Sequence, residues 1–297
     1  MYKENIYSKI PLGLARSALF GTSMTSKSER VEIHFEDTSL AVQKLRATKV
    51  SYTGPVLNQH HSLLWQSIIS AYVEQKTDTV EISGNELLRR MGNKSTCSQM
   101  HSRLVNMLRD LRSGEISYQT ATHDYIGGLV SGVKIARVNV GARVRKGNIT
   151  IAINKELSKL FDDEVLVNDL TRKVALGNNQ LALWLHDFIA THKVVPPITL
   201  LELKRLARSG FELKKFKFEV KKALVVLSSE ECGLVTGFSI NKHNVLSVSK
   251  SRTNVVILDQ FRAAKASGDD KDALCSSEAK RPALARQQRA MRAKVAL

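Results

Sequence analysis

Apolar positions along this chain switch between two periods, and the switches predict its elements. Val31, Ile33 and Phe35 alternate with Glu32, His34 and Glu36, a period of two that predicts a strand. A second strand is predicted over 49–52, ending at the turn signal Gly54-Pro55. The period then lengthens to threes and fours, so that Leu64, Trp65, Ile68, Ile69 and Tyr72 share one face of a helix. Ser83, with Glu86 three positions later, forms a capping box for a short helix over 85–91 that Gly92-Asn93 terminates. A longer helix is predicted over 95–113, striped by Cys97, Met100, Leu104, Met107, Leu108 and Leu111 and stopped by Gly114. Strands are expected over 115–120, 133–140 and 149–153, with a short helix over 155–161. The glycines at 127, 128 and 132 are expected to form a flexible wing tip.

The second half repeats this order. Leu181, Trp184, Leu185 and Phe188 build a helix like the one around Trp65, and Pro196-Pro197 breaks the chain. Helices are predicted over 199–207 and 211–227 on either side of a Ser209-Gly210 turn. Strands over 234–240 and 245–248 flank His243-Asn244. Each half therefore reads helix, helix, turn, helix, hairpin. The expected fold is α+β, with two tandem winged helix-turn-helix domains over 31–170 and 171–250. Residues 1–30 are expected as a flexible arm with an apolar patch over 12–20. Residues 251–297 are expected as a basic, largely disordered extension with one helix near 255–265.

Charge narrows the partner. The 297 residues carry 45 Lys plus Arg against 28 Asp plus Glu, a net +17 that favours polyanions. An anionic membrane is the lesser candidate, because no apolar run reaches the roughly 18 residues that a spanning helix needs. The first residues also lack a secretory signal's apolar core. Three cysteines, Cys97, Cys232 and Cys275, are widely separated and odd in number, which suits the cytoplasm and offers no zinc spacing.

The third helix of each half is the candidate reader of double-stranded DNA. In the second half the apolar stripe Leu213, Phe216, Val220, Ala223, Leu224 and Leu227 leaves Lys214, Lys215, Lys217, Lys221 and Lys222 off the core, and Arg208 precedes them with Lys204 and Arg205. Lysines near phosphates release counterions and give salt-dependent affinity. In the first half, Ser95, Ser98, Gln99, Ser102, Arg103, Asn106 and Arg109 stand off the stripe. Asn and Gln can pair bidentately with adenine, and Arg with guanine. The hairpins add Lys134, Arg137, Arg143, Arg145 and Lys146, then Lys242, Lys250 and Arg252, charges that suit phosphates. A solvated helix face, or edge lysines that deter aggregation, is the plain alternative for each set.

Catalytic signatures are lacking, and no enzyme, cofactor or metal is expected. The sequence contains neither GxxxxGK(S/T) nor GxGxxG. His60-His61 are adjacent and do not bracket an apolar residue, as a rolling-circle nicking site requires. Asp162-Asp163-Glu164 reads as a solvated loop before it reads as a magnesium site. Trp65 and Trp184 occupy equivalent positions and read as packing anchors.

Three segments carry a family resemblance: LARSALF at 14–20, VSYTG at 50–54 and LLWQSII at 63–69. In this order they resemble the TrfA family of plasmid replication initiators, and the likeness extends through Cys232-Gly233-Leu234 to about residue 250. The resemblance implies a protein that binds direct repeats (iterons) at a plasmid origin as a monomer, in equilibrium with an inactive dimer. It implies opening of an AT-rich region and recruitment of the host initiator DnaA and the replicative helicase. The first domain would serve binding and dimerisation, the second the main iteron contact. Ser17-Ala18-Leu19-Phe20 lacks the glutamine of the family's sliding-clamp motif, which argues against clamp binding. The basic tail has no family counterpart. A winged-helix transcriptional repressor is the alternative, and a single palindromic site in place of tandem repeats distinguishes it.

Overall fold

Alternation and amphipathic spacing translate into a mixed α+β fold in a computed structural model, which describes residues 7–11, 18–22, 30–34, 49–75, 77, 79–119, 124–140, 143–154, 165–192 and 194–251. The strands β1 (Tyr7–Pro11), β2 (Phe20–Gly21), β3 (Arg30–His34), β4 (Lys49–Pro55) and β5 (Leu57–Asn58) precede helix α1 (Gln59–Gln75). Then follow β6 (Thr79–Ser83), α2 (Gly84–Arg90), α3 (Ser98–Ser113), β7 (Glu115–Gln119), β8 (Asp124–Gly127), β9 (Val130–Val140) and β10 (Arg143–Ile153). The second half comprises β11 (Val165–Asp169), α4 (Leu170–Ala175), α5 (Gln180–Ala190), β12 (Ile198–Thr199), α6 (Leu200–Leu206), α7 (Leu213–Leu227), β13 (Val235–Ile240) and β14 (Val245–Lys250).

The repeat extends to hydrogen bonds. Two three-stranded sheets share one strand order, β6-β10-β9 and β12-β14-β13, each with its first strand on the last. Ser83 caps α2 by accepting from the Glu86 N–H, and Thr199 caps α6 by accepting from the Glu202 N–H. Both short helices end alike. Gly92 N–H donates to Arg89 O and Asn93 N–H to Leu88 O, while Arg208 N–H donates to Arg205 O and Ser209 N–H to Lys204 O. This paired pattern needs a left-handed residue at the turn, and Gly92 (φ 81°) and Arg208 (φ 46°) supply it. The long helices that follow bury one stripe each: Leu104, Met107, Leu108 and Leu111 on α3, and Phe216, Val220, Ala223, Leu224 and Leu227 on α7.

The first half has a further sheet. β3-β4-β7-β8 form a four-stranded antiparallel sheet, in which the VSYTG motif is structural. The buried Tyr52 hydroxyl donates to Pro55 O at 2.7 Å. A Cβ on Gly54 would fall 2.6 Å from Gly114 Cα and 2.7 Å from that hydroxyl, so the motif's glycine permits a close backbone approach. α1 and α5, with Trp65 and Trp184 buried, pack on each other, and one apolar cluster runs through both halves.

Four expectations change. The segment expected as a flexible arm contributes β1, paired with β11, and buries Ala18, Leu19 and Phe20, because an apolar triplet beside α1 loses less free energy docked than solvated. Phe20 lies 6.5 Å from the Trp65 ring, and Thr22 N–H donates to Ala207 O, so this segment touches both halves. Gly127 and Gly128 stand at the junction between the four-stranded sheet and the β6-β10-β9 sheet, and Gly132 lies within β9. The hairpin at this place is β9–β10, whose strands are longer than the alternation indicated. α3 begins at Ser98 with Cys97 as its cap, leaving Ser95 before the helix. β6 and β12 precede the capped helices, where no strand was expected. The helix expected over 155–161, the acidic loop 162–164, and the tail with its helix near 255–265 lie outside the described residues.

Candidate nucleic-acid interface

On α7 the buried stripe forces a cationic face outward. Lys214, Lys215, Lys221 and Lys222 are exposed. Lys222 Nζ lies 3.6 Å from Glu219 Oε1 and 5.1 Å from the Phe218 ring centroid, and Lys215 Nζ lies 4.4 Å from the centre of Phe211. Among the described residues no carboxylate pairs with Lys214 or Lys221, so their charge is available to an anion.

Lys217 has another task. It is half-buried, and its Nζ donates to Asn244 Oδ1 at 2.8 Å. Asn244 sits at φ 58° in the β13–β14 turn, and its carbonyl accepts from Leu200 N–H at 2.8 Å. One turn residue therefore fixes the hairpin against the starts of both α6 and α7. Asn241 Oδ1 tightens the same turn by accepting from the His243 and Val245 N–H groups, which leaves Lys242 exposed at its tip. Lys250 donates to the Ile189 and Ala190 carbonyls at the end of α5, a helix-capping role. Arg208 is half-buried, and the base of its side chain packs against Gly21, where an added Cβ would fall 3.0 Å from Arg208 Cβ. Arg205 pairs with Glu202 at 2.9 Å.

On α3, Ser98, Gln99, Ser102, Arg103, Asn106 and Arg109 are exposed, as is Ser95 before it. Arg109 Nη1 donates to Asn106 Oδ1 at 3.2 Å, orienting the amide so that its NH₂ points elsewhere. His101 meets Asn85 at 2.8 Å, which links α3 to α2. A cleft of about 670 Å³ separates α3 from the β9–β10 hairpin; Val105, Leu108, Val133 and Ile135 line it together with the cations Arg109, Arg112 and Lys134. Arg143, Arg145 and Lys146 lie on β10 opposite Val140, Val138 and Arg137, in the far part of this hairpin.

The histidine pair is built into the fold. His61 is buried between Asn58 and Asp110, 3.2 Å from the latter. Burial, then Arg103 and His61, push the His60 pKa down to about 4, so the ring is neutral near pH 7. Among the described residues no group of His, Cys, Asp and Glu side chains could hold a metal ion. The Cys97 thiol is exposed beside the N-terminus of α3. The Met100 N–H, and then the Ser95 hydroxyl, hold its pKa below the usual thiol range.

Sequence reasoning located the helices that carry these faces and missed the clamp at Asn244. That residue was visible as a turn former, but its bond to Lys217 spans 27 positions and leaves no periodic trace. The exposed Phe218 was also missed, because periodicity assigns apolar residues to cores.

No family model matches the sequence, and neither does any curated protein. The fold is similar to that of domains 2 and 3 of RctB in a crystal structure of the selenomethionine derivative. The two share 10% identity over 82% of this chain and 98% of that one, with a TM-score of 0.55. A second crystal structure of RctB domains 2–3 aligns at 12% identity over 81% of this chain and 97% of its own, with a TM-score of 0.49. At such identities the likeness is one of fold. Among the described residues no helix is long and apolar enough to cross a membrane.

Proposed function

We propose that this protein is a replication initiator built from two winged helix-turn-helix units, each presenting its third helix and hairpin to double-stranded origin DNA. The observation that carries this reading is the cationic face of α7, exposed beside a hairpin that Asn244 locks in place. A helix of this kind enters the major groove while the adjacent hairpin meets backbone or minor groove. The matching sheet orders of the two halves support a duplicated winged helix. The fold likeness to RctB, itself a replication initiator, supports initiation over other uses of such a module.

The finer reading follows the resemblance to the TrfA family, which rests on its short motifs. The chain binds tandem iterons at a plasmid origin, opens an adjacent AT-rich region by assembling on and deforming DNA, and recruits DnaA and the replicative helicase. It performs no bond chemistry. α3, with its Gln, Ser, Asn and Arg face, contributes base readout, and α7 combines readout with phosphate anchoring.

Replacing Lys214, Lys215 and Lys221 together by Ala is expected to weaken binding to an origin fragment. The slope of log K against log salt should flatten by up to about three units, one per lost phosphate contact. An unchanged slope would place these lysines in water. Replication of an origin plasmid with the protein supplied in trans separates initiation from repression, since a repressor binds and shifts DNA without supporting replication.

A further inference from the structure

The face that α7 turns outward is not uniformly cationic. Phe218 is 59% exposed and Val225 61% exposed, whereas Phe216 and Val220, two residues to either side of Phe218, are fully buried. At about 100° per residue, Phe218 and Val225 fall near the centre of the outward face, nearly opposite the buried stripe. Lys214 and Lys221 flank them on one side by about 40–60°, and Lys215 and Lys222 on the other by a similar angle. The outward face is thus an apolar ridge between two cationic shoulders, and Lys222 leans over the Phe218 ring at 5.1 Å.

This arrangement matches the cross-section of a DNA major groove. The groove is about 12 Å wide, and a helix lying in it meets phosphates on both walls and base edges at the floor. Cationic shoulders suit the walls. At the floor, the one exposed apolar group is the 5-methyl of thymine, which a phenyl ring can cover and no other natural base pair offers. A second copy of α7 fits the ridge poorly, because packing ridge on ridge would bring eight lysines together.

We infer that Phe218 is a specificity-determining residue that packs on a thymine methyl group in the major groove, giving the second unit a requirement for an A·T pair at one position. The inference rests on reading α7 as the helix that enters DNA, and it adds the group recognised there.

The test isolates one methyl group. Duplexes are selected from a random-sequence pool with the full-length protein, and each thymidine of the selected site is then replaced singly by deoxyuridine. This removes the methyl and leaves pairing and groove acceptors unchanged. At one position the wild type is expected to lose about 4-fold in affinity, the equivalent of one buried methyl group. Phe218→Ala should bind the thymidine duplex correspondingly less well and show no penalty for deoxyuridine, with its unfolding midpoint unchanged because the ring is exposed. Phe218→Leu, which still offers an apolar group, should keep part of the methyl preference. A wild type indifferent to deoxyuridine at every position overturns this inference alone, as does a Phe218→Ala protein that retains the full penalty. No enrichment of any sequence from the pool overturns the DNA-binding reading, and this inference with it.

Discussion

Gly92 and Arg208 hold the same place in the two repeats, and only one of them is free to be anything but glycine. Both take a left-handed backbone at the turn before the long helix. At Gly92 a Cβ would also fall 2.2 Å from Val174 Cγ1 on α4, where two side chains cannot coexist. Gly92→Ala therefore combines the left-handed cost, about 1–2 kcal/mol, with an overpacking cost of about 1–3 kcal/mol. Gly177 is the control, since it shares the positive φ (63°) with no atom within 4 Å of its Cβ position. Gly177→Ala is expected to lose only the first of these amounts. Urea unfolding of the two variants checks the difference, and equal losses would mean that α4 yields to the added methyl. The left-handed turn at Gly92-Asn93 was legible in the sequence, because glycine after a capped, periodic segment signals it. The contact with Val174 was not, because it joins positions about eighty residues apart.

The long helices were the most legible elements, because an apolar stripe at threes and fours faces one way only when the chain is helical. Leu104, Leu108 and Leu111 on α3, and Phe216, Val220 and Leu224 on α7, are buried as their spacing indicated. The short strands were not legible. β6 alternates over only five residues and β12 has two, too few to stand out against neighbouring helices. Ala18 to Thr22 looked like an arm because the partners of Phe20 on α1, and those of Gly21 and Thr22 at the end of α6, lie far along the chain. The candidate site was legible as a set of charged residues but not as a geometry, since the tether between α7 and its hairpin is a tertiary contact. That tether supports a prediction. Asn244→Gly keeps the left-handed turn but loses the Lys217 bond, while Asn244→Ala loses that bond and adds about 1–2 kcal/mol of backbone strain. If the hairpin's placement matters for binding, Asn244→Gly should weaken affinity for duplex DNA by several-fold, with a smaller loss of stability than Asn244→Ala. Equal affinity for wild type and Asn244→Gly would show that the hairpin reaches DNA without this anchor.

The two halves meet across a buried polar cluster, and this contact decides how independently they can behave. Lys173 on α4 is wholly buried, with its ammonium 2.5 Å from Asp187 on α5 and 3.5 Å from Ser62 on α1. Asp187 also accepts from Gln66 of α1 at 3.1 Å and lies 3.3 Å from His186 Nδ1. Burial works to raise the Asp187 pKa, but Lys173 and His186 outweigh it and hold the carboxyl below its usual range. A depressed carboxylate pKa contributes stability that is fully present above the unfolded value, about 3.9, and is lost as pH falls through the folded one. Acid below about pH 4 should therefore loosen the contact between α1 and α5. Removing one partner strands the other: Asp187→Leu leaves an ammonium in an apolar site and is expected to cost about 3–5 kcal/mol at neutral pH. Replacing both, as Lys173→Met with Asp187→Leu, should restore most of that loss and weaken the acid sensitivity, because no charge is then left to desolvate. Urea unfolding of the three proteins between pH 3 and 7 measures both effects. If the double variant is no more stable than the single one, hydrogen bonds to Ser62 and Gln66, and not charge pairing, hold the halves together. If it recovers and still binds DNA as the wild type does, the ion pair serves the specific seating of α5 on α1, and apolar packing alone can keep both units in place.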